Sequence, residues 1–315
     1  MNKPIVALAG GVGAARFLDG LARVVDPARL WIVGNTADDT ELHGLHISPD
    51  LDTVAYTLAG IANREHGWGI EGETFHCLEA LRGLGAEAWF QLGDRDIATH
   101  LYRTARLREG ARLSAVTRDL TAAWGVKSTI VPMTDDRVRT LVETRSGTID
   151  FQTYFVRRRA RDKVLKITFE GARAARPAAG VLRAIREAGG VILCPSNPII
   201  SIGPILAVPG IREALRGSLG RAGAKVLAIS PIVGGRALKG PAARMMKSLG
   251  MRVSALGVAE LYRDFVDIFV LDRVDARQAS RVEGLGMRAV VTDTIMTGLA
   301  RKRALARVVM RELGR

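Results

Sequence analysis

The chain has 315 residues, of which 48% are apolar, so it can bury the core of a large α/β domain and is not a disordered chain. Its formal net charge of +14 favours anionic partners, namely nucleotides, phosphorylated metabolites, nucleic acid or an acidic membrane surface, and a solvated arginine-rich surface is the alternative. Two distant cysteines and the lack of any long apolar run exclude a disulfide framework and a membrane span, so we expect a cytoplasmic protein with no membrane partner.

The N-terminal segment has the pattern that opens a nucleotide-binding α/β fold. A short apolar run from Ile5 to Ala9 predicts a buried parallel strand, and the glycine loop Gly10 to Gly13 follows it directly. Ala14 to Val25 predicts an amphipathic helix, and Leu30 to Val33 predicts the next strand. A further helix is predicted from Thr53 to Ala62.

The character of the sequence changes between about Glu73 and Trp124, where helix-forming residues dominate. We interpret 73–124 as a helical insertion or cap on a core formed by 1–72 and 125–315. Strands are predicted again after it, at Thr129 to Pro132, Thr140 to Thr144, Ile149 to Val156, Lys163 to Phe169, Val191 to Cys194, Lys225 to Ser230, Ile268 to Leu271 and Ala289 to Val291. Helices lie between the later strands, and a closing helix is predicted from Gly298 to Leu313. This alternation predicts an α/β fold with a mostly parallel sheet and helices on both faces.

An acidic stretch from Asn35 to Thr53 follows the second strand of this otherwise basic chain. Its carboxylates are Asp38, Asp39, Glu41, Asp50 and Asp52. Carboxylates gathered after a strand can hold a divalent cation or take a proton from a hydroxyl group. A polar surface loop is the structural alternative.

Two loops at predicted strand ends are candidates for binding phosphate. In the loop Gly10 to Gly13, glycines let backbone N–H groups approach an anion, and Arg16 follows within one helical turn. In the second loop, Ser196 and Asn197 lie between two prolines after the strand that ends at Cys194, and both side chains can donate hydrogen bonds. Tight turns without a ligand are the alternative for both loops.

Two weaker candidates lie near the predicted insertion. Arg95, in the turn Gly93 to Asp96, can bind a phosphate or carboxylate. An ion pair at the start of a helix is the alternative. Trp68 can stack on a flat ring, or it can be a partly buried core residue. The five histidines have no metal-binding spacing, and only His43 and His46 lie in the acidic stretch.

Short motifs occur in a fixed order over essentially the whole chain: L-A-G-G-V-G-A-A-R-F-L-D-G-L (8–21), N-T-A-D-D (35–39), S-P-D-L-D-T (48–53), W-G-I (68–70), L-G-D-R-D-I-A-T-H (92–100), V-P-M-T-D-D (131–136), P-S-N-P-I-I-S-I-G-P-I-L (195–206), S-P-I-V-G-G (230–235), K-G-P-A (239–242) and D-T-I-M (293–296). Any one motif is weak, whereas the ordered set is highly specific. The set resembles the 2-phospho-L-lactate transferase family of coenzyme F-420 biosynthesis.

The resemblance implies a Rossmann-like core with a small helical subdomain, and a homodimer. It also implies a reaction in which the terminal ribityl hydroxyl of the deazaflavin Fo attacks a guanylyl-activated, phosphate-linked three-carbon acid. GMP is released, and Mg²⁺ is required. Phospholactate, phosphoenolpyruvate and phosphoglycerate donors all remain open.

The resemblance also implies roles for individual residues. The donor diphosphate is assigned to Gly10, Gly11, Gly13, Arg16, Ser196 and Asn197. The catalytic and magnesium-binding group is assigned to Asp39, Asp50 and Asp52, with Asp38 undecided. The Fo side is assigned to Asp52, Thr53, Trp68, Gln91 and Arg95. Residues 12–16 read V-G-A-A-R where many relatives have T-G-T-P-K, which keeps the positive charge but changes the geometry of its donors.

Three other classes of protein compete with this interpretation. A non-enzymatic regulator that binds a nucleotide sugar on a related core would have a glycine- and serine-rich segment after the paired aspartates, where this chain has Thr40 to Gly44. A nicotinamide oxidoreductase would end its second strand in an acidic residue, where this chain has Asn35. No nucleic-acid-binding module is recognised, and an aromatic content of 5% is low for base stacking, so we expect no nucleic-acid partner.

Overall fold

A seven-stranded parallel sheet forms the centre of the protein, as seen in a computed structural model that describes residues 3–217 and 224–314. Its strands are β1 (Ile5–Ala9), β2 (Leu30–Gly34), β5 (Thr129–Pro132), β9 (Gly190–Leu193), β10 (Val226–Ile229), β13 (Ile268–Asp272) and β14 (Arg288–Thr292). Each strand begins and ends within one residue of its prediction. Their order is β14-β13-β10-β9-β1-β2-β5, and every neighbouring pair is parallel.

The remaining strands form three small antiparallel units. A hairpin joins β3 (Thr40–Leu42) to β4 (Leu45–Ile47), and another joins β11 (Ile232–Val233) to β12 (Arg236–Ala237). A three-stranded sheet has β6 (Arg139–Thr144) between β7 (Gly147–Asp150) and β8 (Lys166–Glu170). The acidic stretch after β2 is therefore a hairpin and a helix start rather than an extended surface loop.

Helices cover both faces of the large sheet, which confirms the predicted Rossmann-like α/β class. They are α1 (Gly11–Leu21), α2 (Pro49–Ala59), α3 (His76–Gly83), α4 (Asp94–Arg108), α5 (Leu113–Ala123), α6 (Val181–Glu187), α7 (Ile202–Ala207), α8 (Ile211–Arg216), α9 (Ala242–Ser248), α10 (Ala255–Tyr262), α11 (Ala279–Glu283) and α12 (Leu299–Glu312). Side chains of β1 alternate between the two faces. Ile5 and Ala7 pack with α1, α2 and α12, whereas Val6 and Leu8 pack with α6 to α10.

Two predicted helices have different bounds in the structure. The first begins at Gly11 instead of Ala14, so Gly11 and Gly13 of the predicted glycine loop lie in the first turn of α1. It ends at Leu21 instead of Val25, because Pro27 and the two valines before Asp26 disfavour continuation of the helix. The second begins at Pro49 instead of Thr53, since proline suits the first position of a helix, and it ends before Gly60, which has a φ of 75°. The earlier start places Asp50 and Asp52 in the first turn of α2.

The predicted strand from Ile149 to Val156 is wrong beyond Asp150. The Asp150 carboxylate accepts hydrogen bonds from the backbone N–H and the hydroxyl of Thr153, at 2.9 and 2.6 Å. Such a cap favours a helical turn, and a short π-helix runs from Thr153 to Arg157. This turn places Phe151 and Gln152 beside the site described below.

The segment 73–124 is helical, as its composition predicts, and consists of α3, α4 and α5. Leu113 of α5 packs in the same apolar layer as Ile130 of β5, so this helix covers the edge of the large sheet. A separate subdomain with bounds at 73 and 124 stays a prediction. None of the helices in the described ranges is both long and apolar enough to cross a membrane.

Candidate active site

The site lies where the strand order of the large sheet reverses. The chain moves from β1 to β2 and β5 on one side, and then returns to place β9 on the other side of β1. The connections that follow β1 and β9 therefore leave toward opposite faces of the sheet, and open α/β sheets bind ligands in the crevice outside such strand ends. The glycine loop and the Pro195–Pro198 loop form its two sides.

These two loops are in direct contact. The Gly10 N–H donates a hydrogen bond to Ser196 Oγ at 3.2 Å. A Cβ atom at Gly13 would lie 2.3 Å from the Pro195 carbonyl oxygen, so only glycine permits this approach. Gly10 would meet a similar obstacle in Ser201, at 2.5 Å. The glycines are needed for the packing of these loops, whatever else they bind.

Positive charge gathers where α1 begins. Arg16, on α1, and Lys239 both line the crevice, and both approach Gly67. Lys239 Nζ donates a hydrogen bond to the His66 carbonyl at 2.9 Å. Partial burial and the adjacent Arg16 charge lower the pKa of Lys239. Two close cations beside a helix N-terminus provide the electrostatics of a phosphate site.

Three aspartates from the acidic stretch lie close to the start of α1, where Asp50 Oδ2 would be 2.7 Å from a Cβ atom at Gly10. Asp50 accepts a hydrogen bond from Asn35 Nδ2 at 2.9 Å, and burial raises its pKa from 3.8 to about 7. Burial, together with the charge of Asp50, raises the pKa of Asp38 well above its ordinary value. Burial also raises the pKa of Asp39, which accepts hydrogen bonds from Ser48 Oγ at 2.7 Å and faces His46 Nε2 at 3.0 Å. The fold therefore buries three carboxyl groups close together, which disfavours their charged forms unless a cation is present.

The chemistry of this group suits a divalent cation. Asp38 Oδ1 and Asp39 Oδ1 are buried and have no hydrogen-bond partner within the described residues. Those residues contain no cluster of three or more carboxylate, imidazole or thiol groups that could hold a metal ion by itself. Mg²⁺ typically takes one or two carboxylates and completes its shell with water and substrate phosphates. Asp38 and Asp50, which both line the crevice, fit that pattern beside a phosphate site.

Asp52 belongs to a separate buried network that connects α2 with α4. Both of its oxygens accept hydrogen bonds from the Arg103 guanidinium, with Nη1 3.1 Å from Oδ2. Arg103 Nη1 also lies 3.1 Å from His100 Nδ1, and His100 Nε2 lies 3.3 Å from Asp96 Oδ1. The Tyr56 hydroxyl donates to the same Asp96 oxygen at 2.6 Å. Burial alone would lower the pKa of Arg103, but the Asp52 carboxylate outweighs it and raises the pKa.

The crevice widens into a cavity of about 870 Å³ with aromatic walls. Trp68 stacks on His66 at a centroid distance of 5.3 Å, and Phe151 stacks on Phe155 at 5.5 Å. Trp89 and Phe90 also line this space. A cavity of this size, with flat apolar walls and a charged floor, suits a ligand that has both a ring system and phosphate groups.

A smaller cavity of about 350 Å³ lies behind the aspartates. Asp38, Phe151 and Gln152 line both cavities and so separate them. Gln152 Nε2 fixes this wall by donating to the Asp38 carbonyl at 3.0 Å. Asp39 lines only the smaller cavity.

The residues assigned from the sequence meet at this site with two differences in placement. Those that line the large cavity are Gly10, Gly11, Gly13, Arg16, Asp50, Asp52, Thr53, Trp68, Gln91, Ser196 and Asn197. Asp39 lines only the cavity behind, and Arg95 lies outside both, where its Nη1 donates to the Glu71 carbonyl at 2.8 Å. The roles of all these residues stay predictions.

The sequence patterns did not predict a role for Arg103, the ion-pair partner of Asp52. A usable signal exists, since Asp96, His100 and Arg103 are spaced by four and three residues and so share one face of α4. No comparable spacing marks Phe151 and Gln152, because they lie in a segment whose residues predict a strand. Asp94, in the Gly93–Asp96 turn, is a structural cap that accepts hydrogen bonds from the backbone of His76 and Cys77 at 3.1 and 3.0 Å.

Known proteins that are similar to this chain indicate the family to which it belongs. The family described as 2-phospho-L-lactate transferase CofD matches residues 5–311. A 2-phospho-L-lactate transferase of Methanosarcina mazei is 40% identical over 306 residues, which cover 97% of this chain and 99% of that protein. A phosphoenolpyruvate transferase of Streptomyces griseus subsp. griseus is 46% identical over 309 residues, which cover 96% of each.

A solved structure supports the fold. It is a protein from Bacillus halodurans described as a member of the upf0052 family, with a TM-score of 0.64 and 14% sequence identity. The match covers 98% of this chain and 99% of the other. At that sequence identity the structural similarity supports a shared fold alone, whereas the sequence matches above support common descent. The chain therefore belongs to the 2-phospho-L-lactate transferase CofD family.

Proposed function

We propose that this protein transfers a phospho-three-carbon-acid group from a guanosine-diphosphate-activated donor to the terminal ribityl hydroxyl of Fo. The products are GMP and a phosphodiester-linked deazaflavin, a step of coenzyme F-420 biosynthesis. The observation that carries the proposal is the convergence, in one cavity, of the glycine loop and a group of buried aspartates. Membership of the family supplies the reaction class.

The donor diphosphate lies, in this proposal, across the glycine loop and the Pro195–Pro198 loop. Arg16 and Lys239 neutralise its charge, and the first turn of α1 adds the positive end of the helix dipole. Ser196 and Asn197 contribute from the opposite side of the crevice. The deazaflavin ring of the acceptor lies against the aromatic walls, beside Trp68 and Gln91.

The reaction exchanges one bond to phosphorus for another. The acceptor oxygen bonds to the acid-bearing phosphorus while the bond from that phosphorus to the bridging oxygen breaks, and GMP leaves with the bridging oxygen. Asp52 orients the attacking hydroxyl and takes its proton, since each carboxylate oxygen keeps a free lone pair beside its bond from Arg103. In such transfers the protein mainly positions groups and stabilises charge.

Mg²⁺ belongs to the proposal as the cofactor that the aspartates and the diphosphate hold together. In place of the set Asp39, Asp50 and Asp52 expected from the sequence, Asp38 and Asp50 would bind it, with Asp39 behind them, because their carboxylates are buried close together and repel one another without a cation. Asp52 is left out of this set because both of its oxygens accept hydrogen bonds from Arg103. When bound, the ion neutralises charge on the phosphate that is transferred.

The relatives favour one donor acid as the first to test. Three phosphoenolpyruvate transferases from Streptomyces species are 45–46% identical to this chain, and three 2-phospho-L-lactate transferases from Methanosarcina and Methanococcoides species are 37–41% identical. We therefore propose the enolpyruvyl donor ahead of the lactyl and phosphoglyceryl ones. These acids differ from one another only by small groups that contact one pocket, so the activity with each donor needs a direct measurement.

A single reconstitution tests the proposal. Purified protein, MgCl₂ and Fo are incubated in parallel with guanylyl-activated enolpyruvyl, lactyl and phosphoglyceryl donors, and the products are identified by mass spectrometry. We expect equal amounts of GMP and phosphodiester-linked Fo with at least one donor, and neither product in excess EDTA. The absence of product with all three donors would overturn the proposal. If the protein then bound a nucleotide sugar tightly, a regulatory function on a related core would replace it.

A further inference from the structure

Arg159 occupies a strained turn on the wall of the large cavity. Its φ is 53°, and that of the next residue, Ala160, is 48°. Both lie in the left-handed region, which side chains other than glycine rarely adopt. Strain of this kind persists where surrounding contacts impose it, and it is frequent at ligand-binding positions.

The contacts that impose the turn are present. Ala160 is buried in an apolar cluster with Ile200 and Met245. Arg244, on α9, donates from Nη1 to the Ala160 carbonyl at 2.5 Å and to the Arg159 carbonyl at 3.4 Å. The backbone is thus held from both sides, and Arg159, an exposed residue, is among those that line the large cavity.

Arg159 belongs to a basic run of four arginines, Arg157, Arg158, Arg159 and Arg161. Arg157 and Arg158 have protein partners, whereas Arg161 has no side-chain partner within the described residues and lies outside the cavity wall. Arg157 pairs with Glu87 at 2.8 Å, and Arg158 donates to Ser146 at 2.7 Å and lies 3.6 Å from Asp162. The Arg159 guanidinium has neither a hydrogen bond nor an ion pair with any residue in 3–217 or 224–314. The strained turn therefore carries a cation that has no side-chain partner among the described residues.

Its place in the cavity is complementary to that of the other two cations. Arg16 and Lys239, the other basic residues in this wall within the described ranges, lie together near Gly67. Arg159 lies instead on the side of the Pro195–Pro198 loop, since Met245 packs both with Ala160 and, at 3.8 Å, against Asn197 Nδ2. An anionic ligand in the crevice is therefore approached by positive charge from both sides.

We propose that Arg159 binds an anionic oxygen pair of the donor, either the carboxylate of its three-carbon acid or the phosphate that carries that acid. This inference rests on the proposed function and extends it to a residue that specifies the donor. A planar guanidinium matches both groups with two parallel hydrogen bonds. Two binding measurements distinguish them, because GDP has the phosphate and lacks the carboxylate.

The test compares Arg159→Gln with Arg161→Gln, a matched control that removes the same charge two residues away from a side chain outside the cavity wall. Calorimetry measures binding of GDP and of the intact donor without Fo. We expect Arg159→Gln to weaken the intact donor by roughly tenfold to a hundredfold. Equal weakening of GDP identifies the phosphate as the partner, and unchanged GDP binding identifies the carboxylate. The Arg161→Gln protein should bind both as the wild type does.

Arg159→Gly separates binding from folding. Glycine adopts a φ of 53° without strain, so the variant should unfold at the wild-type temperature or above it and still lose affinity for the donor. In turnover, the KM for the donor should rise in both Arg159 variants while the KM for Fo stays unchanged. Wild-type donor affinity in both variants would overturn the inference even if the wild-type protein forms product. A wild-type protein that forms no product would instead overturn the proposed function.

Discussion

At the scale of single residues, the aspartates of the acidic stretch divide into two groups with different surroundings. Asp38, Asp39 and Asp50 are held close together, and their burial raises the pKa of each. Asp52 is held by the cation of Arg103. The first group has the burial and spacing that the proposed Mg²⁺ site requires, and in the second the Asp52 carboxylate is held in a fixed orientation.

Asp50 gives a pH prediction. Its folded-state pKa of about 7 lies above the ordinary 3.8, so the protonated carboxyl favours the folded state. That contribution is complete below about pH 4 and is lost as the pH rises through about 7. In EDTA, the free energy of unfolding of Asp50→Asn should therefore exceed that of the wild type at pH 8, by at most a few kcal/mol, and match it at pH 4. Parallel curves from urea titrations across this range would contradict the prediction.

Arg103 gives a stability prediction. Its side chain is 2% exposed, and Arg103→Met would leave the Asp52 carboxylate buried without a counter-ion. Removal of one partner of a buried pair costs about 3–5 kcal/mol. Chemical denaturation should show this loss, whereas Arg106→Met, which breaks an exposed pair with Glu109, should cost less than about 1 kcal/mol. Similar small losses in both variants would show that the Asp52–Arg103 pair is not a structural requirement.

Asp52 gives a catalytic prediction. Asp52→Asn keeps the shape of the side chain but removes the charge that takes the proton, so kcat should fall by about 10²–10⁴-fold. The same change leaves the Arg103 cation buried without its counter-ion, so the variant should also unfold at a lower temperature. Turnover is therefore to be measured where circular dichroism shows the variant folded. Wild-type turnover there would remove Asp52 from the catalytic group.

At the scale of elements, the site depends on how closely two strand ends approach. β1 and β9 are neighbours, and the turn from β1 into α1 meets the loop after β9 with no space between their backbones. In the same way, α2 begins early enough to bring Asp50 against the glycine loop, since Asp50 Oδ2 would lie 2.7 Å from a Cβ atom at Gly10. Small shifts of either loop should therefore disturb both the proposed phosphate site and the aspartates.

Gly13→Ala tests this packing. The added methyl group would lie 2.3 Å from the Pro195 carbonyl, a backbone atom that cannot turn aside, so the two loops must separate. We expect a loss of about 1–3 kcal/mol in the free energy of unfolding and weaker binding of GDP. Gly83→Ala, at the end of α3, is the control, because nothing lies within 4 Å of its added methyl group and alanine favours helices. Unchanged stability and GDP affinity in Gly13→Ala would contradict the packing argument.

At the scale of the whole molecule, the net charge of +14 should affect how fast the substrate arrives. The donor has several negative charges, and long-range attraction raises association rates in dilute salt. We expect kcat/KM for the donor to fall roughly threefold to tenfold between 20 and 300 mM KCl, with a smaller change in the KM for Fo. A salt-independent kcat/KM would show that the excess arginines serve solvation only. A homodimer, which sedimentation would test, stays a prediction.

Sequence patterns predicted most of the fold and identified two loops that are in contact in the structure. The strands of the large sheet are continuous apolar runs between glycine- and proline-rich turns, so their bounds follow from local composition. The error after Asp150 arose because Phe151 to Val156 has strand-forming residues, while one capping carboxylate commits the chain to a helical turn. Local propensity is weak beside a specific hydrogen bond.

The sequence by itself determined the fold class and the family, and it identified the two loops that meet at the candidate site, because each is encoded in local patterns or in an ordered set of motifs. Only the tertiary structure decided that Arg103 neutralises Asp52, that Gln152 and Asp38 separate two cavities, and that Arg159 lies in the wall of one of them. These contacts join residues from 51 to 114 positions apart in pairs such as Arg103 with Asp52 and Gln152 with Asp38. No local pattern encodes such pairs, since burial and charge pairing are properties of the packed chain.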